Sequence, residues 1–185
     1  MESKSEKAKI LTHSYWANVF KGTPKKRELM NDLRELPPFA GLKKHLLYEL
    51  SKIVHTRNYS SGEHIFIEGD PGIGLYVINE GEIEIYQGEG KGKNVVLARM
   101  NDGDFFGELA LIDGETRSAS AIAKTDCEVS VIFKPDFDEL LQKNPKEGLL
   151  ILTELTKIII TRLRQLNIDY SKLYNLYTND KGERS

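Results

Sequence analysis

The sequence predicts a mainly β fold with flanking α-helices: an antiparallel jelly-roll β-barrel with N-terminal helices and a long C-terminal helix. Three observations carry this expectation. Ten of the fifteen glycines fall between Gly62 and Gly107 and separate short runs of strand-forming residues. Within Glu82-Ile83-Glu84-Ile85-Tyr86 the apolar and charged residues alternate with the period of a half-buried strand. After Pro135 the apolar spacing becomes helical and stays so almost to the end of the chain.

The elements follow in chain order. Residues 1–35 are polar and charged, with Ile10, Leu11, Tyr15, Trp16, Val19 and Phe20 spaced as on a short amphipathic helix. Gly22-Thr23-Pro24 breaks it, Pro24 suits the opening of a second helix through Met30 and Leu33, and Pro37-Pro38 closes that segment. Trp16 is expected to pack on the barrel or on a second copy of the chain. Leu42, Leu46, Leu47, Leu50, Ile53 and Val54 mark a helical face over residues 42–54. From Arg57 the period changes, and strands are expected at His64–Glu68, Leu75–Asn79, Glu82–Tyr86 and Val95–Met100. A further pair is expected around Ser118–Ala123 and Glu128–Phe133.

Asp136 to Gln142 reads as a short helix, and Pro145 suits the first turn of the next. That last helix carries Leu152, Leu155, Ile159, Leu163, Leu166, Tyr170, Leu173 and Tyr177 at spacings of three and four, close to a heptad seam. A helix of roughly 30 residues spans about 45 Å, more than a small barrel covers. Its distal half needs another surface, and a parallel homodimer is the expectation; the alternative is a helix that folds back or frays after Asn167. The resulting organisation is an N-terminal helical extension (1–35), a barrel domain (36–145), a C-terminal helix (146–178) and a tail (179–185).

Composition excludes several functions. Twenty-six Lys and Arg against 28 Asp and Glu leave a net charge of −2, so no broad basic field awaits a nucleic-acid backbone or an anionic membrane. Lys25-Lys26-Arg27 reads as a solvated turn. The single cysteine, Cys127, cannot pair internally and fits a packed strand position. With no apolar leader and no 18-residue apolar run, a cytoplasmic location is expected. His13, His45, His55 and His64 form no metal-ligand spacing, so neither a metal nor a cofactor is expected. Without that cluster a cupin-type enzyme is excluded, and no catalytic residue is assigned.

The informative segment is Phe105-Phe106-Gly107-Glu108-Leu109-Ala110-Leu111-Ile112-Asp113-Gly114-Glu115-Thr116-Arg117-Ser118-Ala119. Glu108 to Ile112 reads as one helical turn, whose first N–H groups favour an anion. Gly107 admits a close backbone approach. Arg117, nine residues after Glu108, enters a strand of small residues, where a cation is costly unless something negative meets it. Two partners fit that requirement: Glu108 in a structural ion pair, or a bound phosphate gripped by Arg117, the turn N–H groups and Ser118. The residues alone leave both open.

Phe106 through Ala119 resembles the phosphate-binding cassette of the cyclic-nucleotide-binding domain family. That family includes the ligand domain of the bacterial catabolite activator protein and the regulatory domains of cyclic-nucleotide-dependent kinases. Gly62-Glu63-His64-Ile65-Phe66, Glu68-Gly69-Asp70, Leu75-Tyr76-Val77-Ile78 and Gly103-Asp104-Phe105-Phe106 occur in the family's order, and the resemblance covers roughly residues 36–175. It implies a stand-alone regulatory domain with cyclic AMP as ligand, or cyclic GMP, whose binding is relayed through the C-terminal helices to a partner or within a dimer.

By the same resemblance Glu108 takes the ribose 2′-hydroxyl and Arg117 the cyclic phosphate. Gly107, Leu109 and Ala110, with Ser118 and Ala119, complete the cradle, and Ile85, Leu97 and Ala98 line the sugar and base. The last three fit equally as barrel-interior residues. Asn167 falls where relatives place polar residues against the base, although an exposed helix position explains it as well, and Tyr170 offers a stacking alternative. Leu109 and Leu111 are expected to pack on the hinge before the long helix.

Two departures from the family pattern stand out. Thr116 replaces a common proline, which loosens the turn without removing a ligand contact. Ser118 occurs in members of both base preferences and does not choose between them. Only 17 residues follow Ile168, too few for a helix-turn-helix reader, so direct DNA binding is not expected. The opposing reading is a degenerate, non-binding domain used as a dimerisation scaffold.

Overall fold

The computed structural model describes residues 29–88 and 94–182, with side chains through Thr178. The readings of the first amphipathic helix, Trp16 and Lys25-Lys26-Arg27 lie outside the described residues. The helices are α1 (Leu29–Glu35), α2 (Lys44–Lys52), α3 (Leu109–Ile112), α4 (Lys134–Lys143) and α5 (Pro145–Gly182). The strands are β1 (Val54–Tyr59), β2 (His64–Phe66), β3 (Gly74–Glu80), β4 (Ile83–Gly88), β5 (Asn94–Met100), β6 (Phe105–Phe106), β7 (Ser120–Ala123) and β8 (Cys127–Phe133).

The strands form two four-stranded antiparallel sheets, ordered β1-β8-β3-β6 and β2-β7-β4-β5. The expectation of a closed barrel is therefore corrected to two facing sheets. Strands β2 and β6 have three and two residues, too few to carry a ladder from one sheet round to the next.

Burial follows from layering. One face of the first sheet meets the helices through Leu75, Val77 and Ile132, which join Phe39, Leu50 and Phe137 in one apolar cluster. Its other face meets the second sheet through Tyr76, Ile78, Val129 and Val131. Covered on both sides, β3 is buried continuously from Gly74 to Ile78 instead of alternating. Strand β4 keeps the alternation only at its start, where Ile83 is buried and Glu84 pairs with Arg99 and Lys124; Glu84, Ile85 and Tyr86 are all half-buried.

β1 is an element the sequence did not announce. Its residues are mostly polar and exposed, and it forms by pairing register-wise with β8 from Val54↔Ile132 to Tyr59↔Cys127.

Helix α5 begins at Pro145, as expected, and runs unbroken for 38 residues, about 57 Å. The alternative of fraying after Asn167 is not what the structure shows. Its packed side is Gly148, Ile151, Leu155 and Ile158, so of the expected seam only Leu155 is buried. Leu163, Leu166, Tyr170, Leu173 and Tyr177 are all exposed. No helix among the described residues is long and apolar enough to cross a membrane.

Candidate functional site

The site is built where β6 ends. Gly107 adopts φ +74°, a left-handed conformation that turns the chain from β6 into α3. A Cβ there would lie 2.7 Å from Arg117 Nη1 and 3.1 Å from the Gly74 carbonyl oxygen. Glycine is thus required twice, for its backbone angle and for the space the guanidinium occupies. Glu108 caps α3, and its carbonyl accepts from the Leu111 N–H at 3.1 Å.

Arg117 is 6% exposed, and its backbone is fixed before its side chain is considered. Its N–H donates to the Asp70 carbonyl at 2.8 Å, and its carbonyl accepts from the Gly69 N–H at 2.9 Å. Thr116 pairs with Pro71 in an isolated bridge, so the position expected to loosen without proline is held by the segment before β3.

The guanidinium donates from Nη1 to the Gly107 carbonyl at 3.1 Å and from Nη2 to the Gly74 carbonyl at 2.9 Å. Its carbon lies 4.3 Å from the Phe66 ring centre and 5.2 Å from that of Tyr76. Tyr76 in turn stacks on Phe106. The buried Nε has no hydrogen-bond partner among the described residues. Burial lowers the Arg117 pKa from its ordinary value, against the smaller opposing influence of Tyr76, Glu108 and Asp70.

Glu108 is 4% exposed and turns elsewhere. Its Oε1 accepts from Arg162 Nη1 at 2.6 Å, while Arg162 Nη2 donates to the Phe105 carbonyl at 3.0 Å. The Arg162 guanidinium also lies over the Phe105 ring, 5.1 Å from its centre. Of the two partners open to Arg117, the Glu108 ion pair is therefore not made.

Arg162 is a residue that sequence reasoning missed. One signal for it exists: Ile151, Leu155 and Ile158 lead by steps of four and three to position 162, where an arginine continues an apolar stripe. A cation on a packing face needs a partner.

Gly107, Glu108, Leu109, Ala110 and Arg117 converge on this corner. Leu111 is buried in the cluster that contains Phe137 of α4, as expected of a hinge contact, whereas Leu109 is largely exposed. Ser118 is exposed and its carbonyl accepts from Gln87 Nε2 at 3.3 Å; Ala119 is buried. Ile85 faces Ala98 across β4 and β5, and both pack against the cluster that holds Tyr76 and Phe106. Leu97 is the extra residue of a bulge, between the pairs Ile85↔Ala98 and Tyr86↔Val96, and is 44% exposed.

Asn167 is exposed on α5, five residues beyond Arg162, where its carbonyl accepts from Ser171 Oγ. Tyr170 stacks on Tyr174 of the same helix. No group of His, Cys, Asp and Glu among the described residues has the arrangement to hold a metal ion.

The family described as the cyclic nucleotide-binding domain matches residues 56–144, which hold nearly all of both sheets and the segment from Gly107 to Arg117 but not Arg162, and the chain carries a domain of that family. The cAMP-dependent protein kinase regulatory subunit of Colletotrichum orbiculare is 35% identical over 141 residues, covering 76% of this chain and 35% of that protein. The Thermus thermophilus catabolite activator protein superposes with a TM-score of 0.64 at 30% identity, covering 75% of this chain and 63% of that one. The regulatory domain of Toxoplasma gondii PKA, crystallised with cAMP, gives a TM-score of 0.59 at 25% identity, over 68% of this chain and 48% of that one. The chain thus spans about a third of the length of the kinase subunit it matches.

Proposed function

We propose that this domain binds a cyclic nucleotide, cyclic AMP or cyclic GMP, and transmits its occupancy through α4 and α5 as a regulatory module without catalysis. The observation that carries this reading is Arg117: a buried cation held by carbonyls and aromatic rings, with Nε unpartnered. A guanidinium has five N–H donors, and two of them go to carbonyls. A cyclic phosphate supplies the missing charge and takes the remaining donors. Cation–π contacts and neutral carbonyls orient the arginine without neutralising it, which leaves its charge for the ligand.

Glu108 supplies the sugar contact in this reading. A carboxylate accepts several hydrogen bonds, so a ribose 2′-hydroxyl joins the Arg162 contact on the same group. The pocket and α5 then share one carboxylate, which gives ligand binding a differential contact with the helix. Ile85, Leu97 and Ala98 supply apolar contacts to sugar and base, and Asn167 or Tyr170 closes over the base only if α5 moves toward the barrel. The distal apolar side of α5 joins a second copy of the chain.

The test is calorimetry on protein unfolded, dialysed and refolded to strip any carried ligand, titrated with cyclic AMP, cyclic GMP and 5′-AMP. Saturable heat with a cyclic nucleotide and none with 5′-AMP is the expected result. Arg117→Ala should weaken binding by roughly 3 kcal/mol or more, over a hundredfold, because the phosphate loses its charged partner. A folded wild-type protein that takes up neither cyclic nucleotide would leave the scaffold role in its place.

A further inference from the structure

Lys134 sits where local electrostatics disfavours a cation. It is the first residue of α4, and the start of a helix carries partial positive charge that favours acidic side chains such as Asp136 in the same turn. Its side chain turns away from that end. Nζ donates to the Leu111 carbonyl at 2.9 Å and lies 3.2 Å from Asp138 Oδ2. Leu111 belongs to α3, a four-residue helix whose last carbonyls lack intrahelical donors and so welcome a cation.

The backbone of Lys134 makes a second connection. Its N–H donates to the Ile73 carbonyl at 2.9 Å, and the next carbonyl along, that of Gly74, accepts from Arg117 Nη2. One residue is thereby bonded to the turn that follows Glu108 and to Ile73, whose neighbour Gly74 opens β3 and holds Arg117. The apolar contact between Leu111 and α4 keeps the two helices together but is not directional. The Lys134 bond fixes where one lies relative to the other. The Asp138 pair, partly exposed, contributes little by itself and serves to aim the ammonium.

We propose that Lys134 is the positioning residue through which a rearrangement of α3 on ligand binding is passed to α4 and α5. The proposal rests on the cyclic-nucleotide reading above. Its test is hydrogen–deuterium exchange on the full chain, with and without saturating cyclic AMP, for wild type, Lys134→Met and Lys134→Arg. In the wild type, ligand should slow exchange in α3, α4 and the first turns of α5.

Lys134→Met should keep the ligand-dependent change in α3 and lose at least half of it in α4 and α5, and Lys134→Arg should restore it. A full α4 and α5 response in Lys134→Met overturns the proposal, even if exchange is faster throughout with and without ligand. Loss of the α3 response as well overturns it too, by placing Lys134 in binding instead. Should Lys134→Met fail to fold, Lys134→Gln carries the same comparison. Wild-type protein that binds no cyclic nucleotide by calorimetry removes the ligand reading itself and the relay with it, an outcome visible before any variant is made.

Discussion

Arg117 and Glu108, nine residues apart in the chain, have opposite charges and choose different partners. Glu108 takes Arg162 in a charge-assisted bond, whereas Arg117 takes two carbonyls and two aromatic faces. Gly107 makes the second arrangement possible. Gly107→Ala should cost about 1–2 kcal/mol for the left-handed backbone. It should also displace the guanidinium, so thermal melting should show a lower midpoint and calorimetry at least a tenfold loss of affinity. Arg162→Ala strands Glu108, which is buried, at a cost of about 1–3 kcal/mol. Urea denaturation should show it, and Arg162→Lys should recover only part, since a single ammonium cannot span both the carboxylate and the Phe105 carbonyl with the fork geometry of arginine.

Among the elements, α5 shows how two stripes on one helix come to differ. Residues 152, 155, 159, 163 and 166 and residues 148, 151, 155 and 158 both follow spacings of three and four, and both are largely apolar. The second stripe is the one buried, because Gly148 lets the helix approach Leu141 of α4, where an added Cβ would lie 3.3 Å from Cδ2. Leu155→Ala should therefore cost about 2–5 kcal/mol of stability, the usual range for a fully buried leucine. Strand β1 shows the converse. Periodicity finds half-buried strands, and a polar edge strand held by backbone pairing with β8 gives it nothing to find.

At the scale of the whole molecule, the two sheets and the helical layer fill one another's faces, but α5 extends beyond them. Leu163, Leu166, Tyr170 and Leu173 form a continuous exposed apolar side past Arg162. A row of that extent is what an interaction surface offers. Sedimentation should find the wild-type chain dimeric, and a Leu163→Ala, Leu166→Ala double variant shifted toward monomer with its melting of the barrel little changed. A monomeric wild type at every concentration would remove the dimer from the proposed function.

What the sequence determined by itself is local: the glycine-separated strands, the single turn at Glu108, the nine-residue step to Arg117 and the helix opened by Pro145. Each depends on backbone angles and spacings a few residues long, which composition and order encode directly. The tertiary structure alone decided the rest. It split the expected barrel into two sheets, gave Glu108 to an arginine 54 residues away, and chose which stripe of α5 to bury. Those outcomes turn on which surfaces meet, and several segments of this chain offer faces of equal apolarity or charge, so only the packed arrangement distinguishes them.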